Sequence, residues 1–445
     1  MPRNQNRISK LIRWSLLLAA VLVAVYFLSA GADTRSTRAS VKPVPPLVSA
    51  IEPVPISPSA PSFSLAAQRG VQELIAGQDR AVGWNGLTGL WGRHTRPNWW
   101  QSALALLGIV RYLERTHNTS PIFQQVILRI YERNVNKPLS TAKHDFANEF
   151  MDDTAWWGMA WLAAARYELY DLHDLQDAAR FLSVAEWDVR YIWAAPKQCG
   201  GIVWALRRSP DTVTSAEFIA LAAQVASFRE APSPFQDSQK ASQWLDDAYD
   251  ALWWLRYSGL VDIKRGFVLD RLDGGCHSYI GGPLTYSEGE MADALTQLGI
   301  AWHKPAYFAK AATFLEFTLS RRSGLMTHGI LQERCESRPG NCHGMPNRLD
   351  IPAFKGIFIN AVSDWSLATG SKKYLGFLRD QAAAVVDNAV RDGDQPGDCS
   401  TPAACRFAFN WHDPSPQAES AVPMTVASQE SGIDALTAVL PEAKR

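Results

Sequence analysis

Two aspartates, Asp152 and Asp153, stand side by side in NEFMDDTAWWGMAW (148–161), a stretch otherwise almost wholly apolar and aromatic. In an apolar setting adjacent carboxylates repel each other, and one of them holds its proton to higher pH. A protonated carboxyl beside an ionised one is the pairing glycoside cleavage uses, one to protonate the leaving oxygen and one to attack. Retaining enzymes keep the two about 5–5.5 Å apart. Chain neighbours at the start of a helix facing a cavity can reach that separation. The competing reading is helix capping, because an Asp at a helix start accepts backbone N–H bonds and suits the positive end of the dipole. A capping box would place Glu or Gln three residues on, where Ala155 and Trp156 stand instead. One Asp suffices for a cap, which leaves the second unexplained. A magnesium-binding DDxxD motif would need an acid where Trp156 stands, and a hard cation needs more oxygen ligands than this stretch offers.

Such a pair has to be carried by helices. Apolar residues recur at spacings of three and four almost throughout from residue 63 onward, as in WWQSALALLGIVRYLERT (99–116) and FKGIFINAVSDWSLATG (354–370). The pattern predicts about twelve helices: 64–76, 97–116, 121–134, 148–170, 174–194, 213–229, 240–258, 285–300, 304–320, 351–369, 373–391 and 428–440. Alternating strand runs are scarce, and Gly- and Pro-bearing breaks such as DGGCHSYIGGP (273–283) separate many of the segments. Twelve helices without a strict repeat predict an all-α closed ring of helical hairpins, an (α/α)6 barrel, with an open helical solenoid as the alternative. Inner helices of such a ring should be apolar nearly all round. Residues 150–165 read that way.

The 445-residue chain is 47% hydrophobic and 20% charged, enough to bury a large core. Its first 32 residues carry Arg3, Arg7, Lys10 and Arg13 and no acid; the rest holds 40 basic against 44 acidic residues. That balance argues against a nucleic-acid partner, which asks for clustered positive charge. The basic flank, the uncharged run 14–30 and the small residues at 30–32 predict a signal peptide or a membrane anchor over 1–32. In either case the bulk of the chain is expected outside the cytoplasm, secreted, periplasmic or anchored through 14–30. A Pro/Ser-rich linker is expected over 33–62, followed by one domain over 63–445 that works as a monomer. All six cysteines follow residue 198. Their spacings suggest Cys335–Cys342 and Cys399–Cys405 as local loops, leaving Cys199–Cys276. The rival reading, a zinc site, lacks any C-x-x-C pair, and an exported chain favours disulfides.

With these residues in view, the sequence resembles glycoside hydrolase family 76, the endo-α-1,6-mannanases. The matching stretches occur in order: WWQSALAL (99–106), FMDDTAWWGMAW (150–161), CGGIVWALRR (199–208), LTYSEGEMADAL (284–295), ERCES (333–337), FKGIFINAV (354–362) and ASQESGIDAL (427–436). The resemblance implies an (α/α)6 barrel and a retaining double displacement on an α-mannan or other mannose-containing glycan, with no cofactor and no metal. It implies Asp152 as nucleophile and Asp153 as general acid/base. Some relatives transfer a mannose-containing glycan instead of hydrolysing it, so a transglycosidase remains an alternative, as does a carbohydrate-binding protein without activity.

Sugar faces pack on indole rings, which makes Trp99, Trp100, Trp156 and Trp204 candidate substrate contacts, although large rings usually serve the core. Trp157, about 100° round the helix from Trp156, is expected in the core. Glu217, Tyr286 and Lys355 fall in matched stretches and are further candidates for sugar hydroxyls; for Lys355 the alternative is a snorkelling surface residue. The family more often shows Asn where Ala216 stands, and Tyr-Asn-Gln-Gly where this chain has Tyr286-Ser287-Glu288-Gly289. These departures touch the substrate subsites, not the aspartate pair.

Overall fold

The computed structural model describes residues 62–76, 82–93, 96–135, 145–277, 279–336, 342, 348–392, 395–412 and 424–441. The expected signal or anchor over 1–32, and the linker up to residue 61, lie outside them. Residues 56–445 form one compact unit. Among the described residues no helix is long and apolar enough to cross a membrane.

Twelve α-helices are seen among the described residues: α1 (Phe63–Ala76), α2 (Trp99–Thr116), α3 (Pro121–Asn134), α4 (Met151–Tyr167), α5 (Leu175–Ala194), α6 (Thr212–Glu230), α7 (Ser238–Ser258), α8 (Thr285–Ala301), α9 (Pro305–Leu319), α10 (Ile351–Thr369), α11 (Leu375–Ala384) and α12 (Val426–Thr437). The even-numbered helices form the inner ring. In order, α2 packs on α4, α4 on α6, α6 on α8, α8 on α10, α10 on α12, and α12 back on α2. The odd-numbered helices lie outside, α5 on α4, α7 on α6 and α9 on α8. The last contact, α12 on α2, closes the ring and excludes the open solenoid.

Sequence explains which helices go inside. In α4 every residue from Thr154 to Ala165 is buried, and in α12 every residue is. Such helices need close neighbours all round, and glycines permit the closest approaches. A Cβ on Gly289 of α8 would stand 2.9 Å from the Phe358 backbone of α10, and one on Gly356 of α10 would stand 2.7 Å from Ser431 of α12. The outer helix α7 instead buries one stripe, Ala241, Trp244, Ala248, Ala251, Leu252 and Leu255, and leaves the rest partly or fully exposed.

The connections are unequal. Inner helices lead to outer ones through short links, 117–120, 168–174 with its π turn Glu168–Leu172, 231–237, 302–304 and 370–374. Outer helices lead to inner ones through the long segments 77–98, 135–150, 195–211, 259–284, 320–350 and 390–425. The long segments carry the short hairpins, and all of them arrive at the N-terminal ends of the inner helices. That end of the barrel is the one with material for a site.

Two expected helices differ in detail. The segment 148–170 starts its helix only at Met151, because Phe150 pairs in extended form with Ala205. The segment 373–391 ends in a widened π turn, Val385–Ala389, and a short strand. All three disulfides form as spaced, Cys199–Cys276, Cys335–Cys342 and Cys399–Cys405.

Candidate active site

Asp152 and Asp153 occupy the first turn of the inner helix α4. The N-cap position belongs to Phe150, whose side chain caps nothing. Each carboxyl has its own donors. The Asp152 Oδ2 accepts the Trp204 indole N–H at 2.7 Å, and its Oδ1 accepts the Asp153 backbone N–H at 2.8 Å. Asp153 Oδ2 accepts the Asn148 amide N–H at 2.6 Å. Asp152 therefore does satisfy one orphan helix N–H, but this uses one oxygen of one residue. Both side chains are only partly buried.

Backbone pairing fixes these partners. The Met151 N–H donates to the Trp204 carbonyl at 2.8 Å and the Leu206 N–H to the Glu149 carbonyl at 3.0 Å. The loop carrying Trp204 is thus zipped to the segment that starts α4. The Trp204 ring lies 5.3 Å from that of Phe150, with the Arg271 guanidinium 5.7 Å from its centroid. The hairpin before it, Lys197–Gln198 with Gly201–Ile202, is tied by Cys199 to Cys276 on the neighbouring long segment. Asn148 is held in turn: its Oδ1 accepts the Phe150 N–H at 2.8 Å, and its carbonyl accepts the Tyr191 hydroxyl at 3.0 Å.

The electrostatics are those of acids crowded away from water. Burial raises the Asp152 carboxyl well above the ordinary range, and Asp153 beside it adds to this; the two N–H donors act against it. Burial pushes Asp153 up to about 7, with Asp350 and Glu149 contributing and the Asn148 amide opposing. Asp211, the N-cap of α6, is pushed to about 8 by burial and by Asp152. Burial, then Asp152, holds Glu217 well above the ordinary carboxylate range; its carboxyl is fully buried without a hydrogen-bond partner. The Tyr286 hydroxyl is likewise held high, by burial and then by Asp270, Asp211 and Asp152. Its ring lies parallel to Phe354, centroids 3.9 Å apart.

The structure thus brings Asp152, Asp153, Trp204, Glu217 and Tyr286 into one electrostatic neighbourhood. Trp100 stands at its margin, where its indole N–H donates to Asp350 Oδ1 at 3.2 Å. The three other expected sugar contacts, Trp99, Trp156 and Lys355, stand among further groups. Trp99 packs between Phe146 and Trp157, at 6.1 and 4.9 Å; Trp157 is fully buried. Trp156 is buried one turn into α4, in the wall of an interior cavity shared with Arg111, Glu290 and Asp293. Lys355 is fully buried, and its three donor hydrogens are taken by both Glu336 oxygens, at 3.2 and 3.1 Å, and the Phe409 carbonyl at 2.6 Å. An ammonium so enclosed has nothing left for a sugar, so the Lys355 expectation is corrected: it is an internal ion pair. The departure at Ser287-Glu288 is also structural. Glu288 is buried, and its Oε1 accepts the Val268 N–H, latching a hairpin to α8.

Sequence reading missed Asn148, Asp211 and Asp350. Asp211 carried a legible signal, an Asp just before a helical run whose Oδ1 accepts the Thr214 N–H. The other two are defined by contacts that no local pattern records. Among the described residues no group of three or more His, Cys, Asp or Glu is arranged to hold a metal ion.

The chain is thus a closed double ring of helices with two neighbouring carboxyls in the first turn of an inner helix. The profile of Glycosyl hydrolase family 76 matches residues 78–427, and the chain belongs to that family. Solved structures share the fold at low identity. An α-1,6-mannanase, GH76A of Salegentibacter sp. HEL1_6, inactivated at two neighbouring aspartates and in complex with α-1,6-mannotetrose, is 19% identical with a TM-score of 0.62, over 85% of this chain and 99% of that one. Dfg5 from Chaetomium thermophilum in complex with glucosamine is 19% identical with a TM-score of 0.63, over 85% and 90%. The Lin0763 protein from Listeria innocua is 19% identical with a TM-score of 0.61, over 85% and 97%. Among curated proteins none matches the chain.

Proposed function

We propose that this protein is an extracytoplasmic retaining glycoside hydrolase that cleaves α-1,6-mannosidic linkages by double displacement. The observation that carries the reading is the separate support of the two neighbouring carboxyls. Asp152 has two N–H donors, which oppose the rise that burial and Asp153 impose on its carboxyl, and both residues share the positive end of α4. Asp153 has one donor, and burial keeps it protonated up to about neutral pH. In the first step the Asp152 carboxylate attacks the anomeric carbon while Asp153 gives its proton to the departing sugar oxygen. In the second, Asp153, now a carboxylate, takes a proton from water, which attacks the mannosyl–Asp152 ester and frees Asp152. Asp211, Glu217 and Tyr286 sit close enough to be felt by Asp152, and as protonated groups they are suited to donate to sugar oxygens. The mannanase with a similar fold was inactivated at two neighbouring aspartates and holds an α-1,6-mannooligosaccharide, which supports the same substrate class here. Three disulfides that use all six cysteines support an oxidising compartment.

The test is digestion of α-1,6-mannan, followed by mass and anomeric NMR. Early release of α-anomeric oligomannosides is expected, and Asp152→Asn should abolish turnover while sparing oligosaccharide binding. Absence of products from every mannose polymer, or turnover by Asp152→Asn, overturns the reading. Products longer than the starting oligosaccharide would reassign the same pair to glycan transfer.

A further inference from the structure

The outer helix α7 carries more aromatic surface than its packing uses. Its buried stripe already seals it against α6. On another face Tyr249, Trp253 and Tyr257 recur every four residues, which sets them about 6 Å apart along the helix, and they are 45%, 47% and 66% exposed. Trp253 and Tyr257 are stacked with their planes 29° apart and centroids 3.7 Å apart. The series continues beyond the helix: Tyr249 meets Trp302 edge-on at 5.9 Å, and Trp302 meets Tyr307 at 5.2 Å. Lone exposed aromatics need no explanation, but a contiguous run of them marks a place of contact.

The run ends beside the catalytic mouth. Tyr249, Trp253, Trp254 and Tyr257 line an open groove of about 740 Å³ whose far wall is the Cys199–Cys276 disulfide. Trp254 joins the two regions. Its indole N–H donates to the Cys199 carbonyl at 2.9 Å, and its ring lies so close over Gly201 that a Cβ there would stand 2.2 Å away. Three residues further along that segment, Trp204 donates to Asp152. A chain leaving the mouth over this hairpin therefore arrives on the aromatic run.

Charge narrows the occupant. Asp246, Asp247 and Asp250 flank the aromatics on the same helix, Asp250 lining the groove, with Arg256 among them and Lys304 and Lys310 over the Trp302 and Tyr307 rings. A border of mixed sign lacks the clustered positive charge that nucleic acid and anionic lipid headgroups ask for. Flat ring faces with carboxylate acceptors beside them suit an uncharged chain that offers C–H faces and hydroxyls. We propose that Tyr249, Trp253 and Tyr257, with the groove at the Cys199–Cys276 disulfide, form an accessory binding site for a neutral polysaccharide strand that also reaches the catalytic mouth. The choice of α-1,6-mannan as the polymer rests on the function proposed above.

The test uses affinity electrophoresis of the full protein through gels containing α-1,6-mannan or other neutral polysaccharides, in the Asp152→Asn background so that no polymer is consumed. Adding Trp253→Ala, or Tyr257→Ala as a second exposed truncation, should weaken retention about tenfold, as loss of an aromatic anchor does. In the active protein the same changes should raise KM on the polymer and leave kcat/KM on a mannotriose unchanged. Retention lost with Trp253→Ala in a protein that cleaves no mannan would sustain this site while overturning the proposed activity. Unaltered retention in every polysaccharide overturns the site. So does a dimer that Trp253→Ala dissociates, which would make the face a self-contact, or liposome binding that Trp253→Ala abolishes.

Discussion

Replacing Trp204 by Phe keeps a flat ring beside Phe150 and under Arg271 but deletes the N–H that Asp152 Oδ2 accepts at 2.7 Å. A hydrogen bond to a charged group contributes about 1.5–3 kcal/mol. If that stabilisation belongs to the ionised carboxyl, its loss raises the Asp152 pKa by about one to two, since each pKa unit is worth about 1.4 kcal/mol. The sign follows from the role. In the proposed mechanism Asp152 attacks as a carboxylate, so a higher pKa leaves less of it ionised in acid. The acidic limb of kcat/KM against pH should move upward by about one to two pH units, a loss of about ten- to a hundredfold at a fixed pH on that limb. Well above the limb, activity should return toward that of the unaltered protein. The assay is initial-rate hydrolysis of α-1,6-mannooligosaccharide across the acid and neutral range. An acidic limb that stays in place would refute the reasoning, whatever happened to the maximal rate, because Trp204 would then not be setting the charge of Asp152.

Asn148→Ala should act on the opposite limb. It removes the donor to Asp153 at 2.6 Å, destabilises that carboxylate, raises a pKa already near 7, and so carries the basic limb to higher pH; an unmoved basic limb would count against Asp153 as the acid. Lys355→Met should leave Glu336 buried without its cation, at a cost of about 3–5 kcal/mol in denaturant unfolding. A near-unchanged midpoint there would mean Glu336 finds another partner or takes up a proton at little cost.

The fold was legible because helices announce themselves locally. Each of the twelve periodic segments corresponds to a helix, and the all-apolar reading of 150–165 marked α4 as internal. The departures come from distant pairing: Phe150 is extended because Ala205 supplies its partner, and nothing within 148–170 records that. The site follows the same division. The aspartate pair and Trp204 were visible as residue types in matched stretches. Asn148 was passed over because its value lies in an amide turned toward Asp153, and Asp350 because its partner Trp100 is 250 residues away. Lys355 was misread because a lysine on an apolar segment looks the same whether its head meets water or a buried Glu336.

The order of the helices along the chain has a consequence for how the molecule is made. The final wedge, α12, fits between α10 and α2, with Gln429 Nε2 donating to the Gly70 carbonyl across 359 positions and Ser431 Oγ accepting the Gly356 N–H. Until residues 426–437 emerge, a nascent polypeptide is a horseshoe whose greasy flanks on α2 and α10 have no cover. Closure of the ring therefore waits on one long-range docking step, which makes this seam the first place where heat should pry the ring apart.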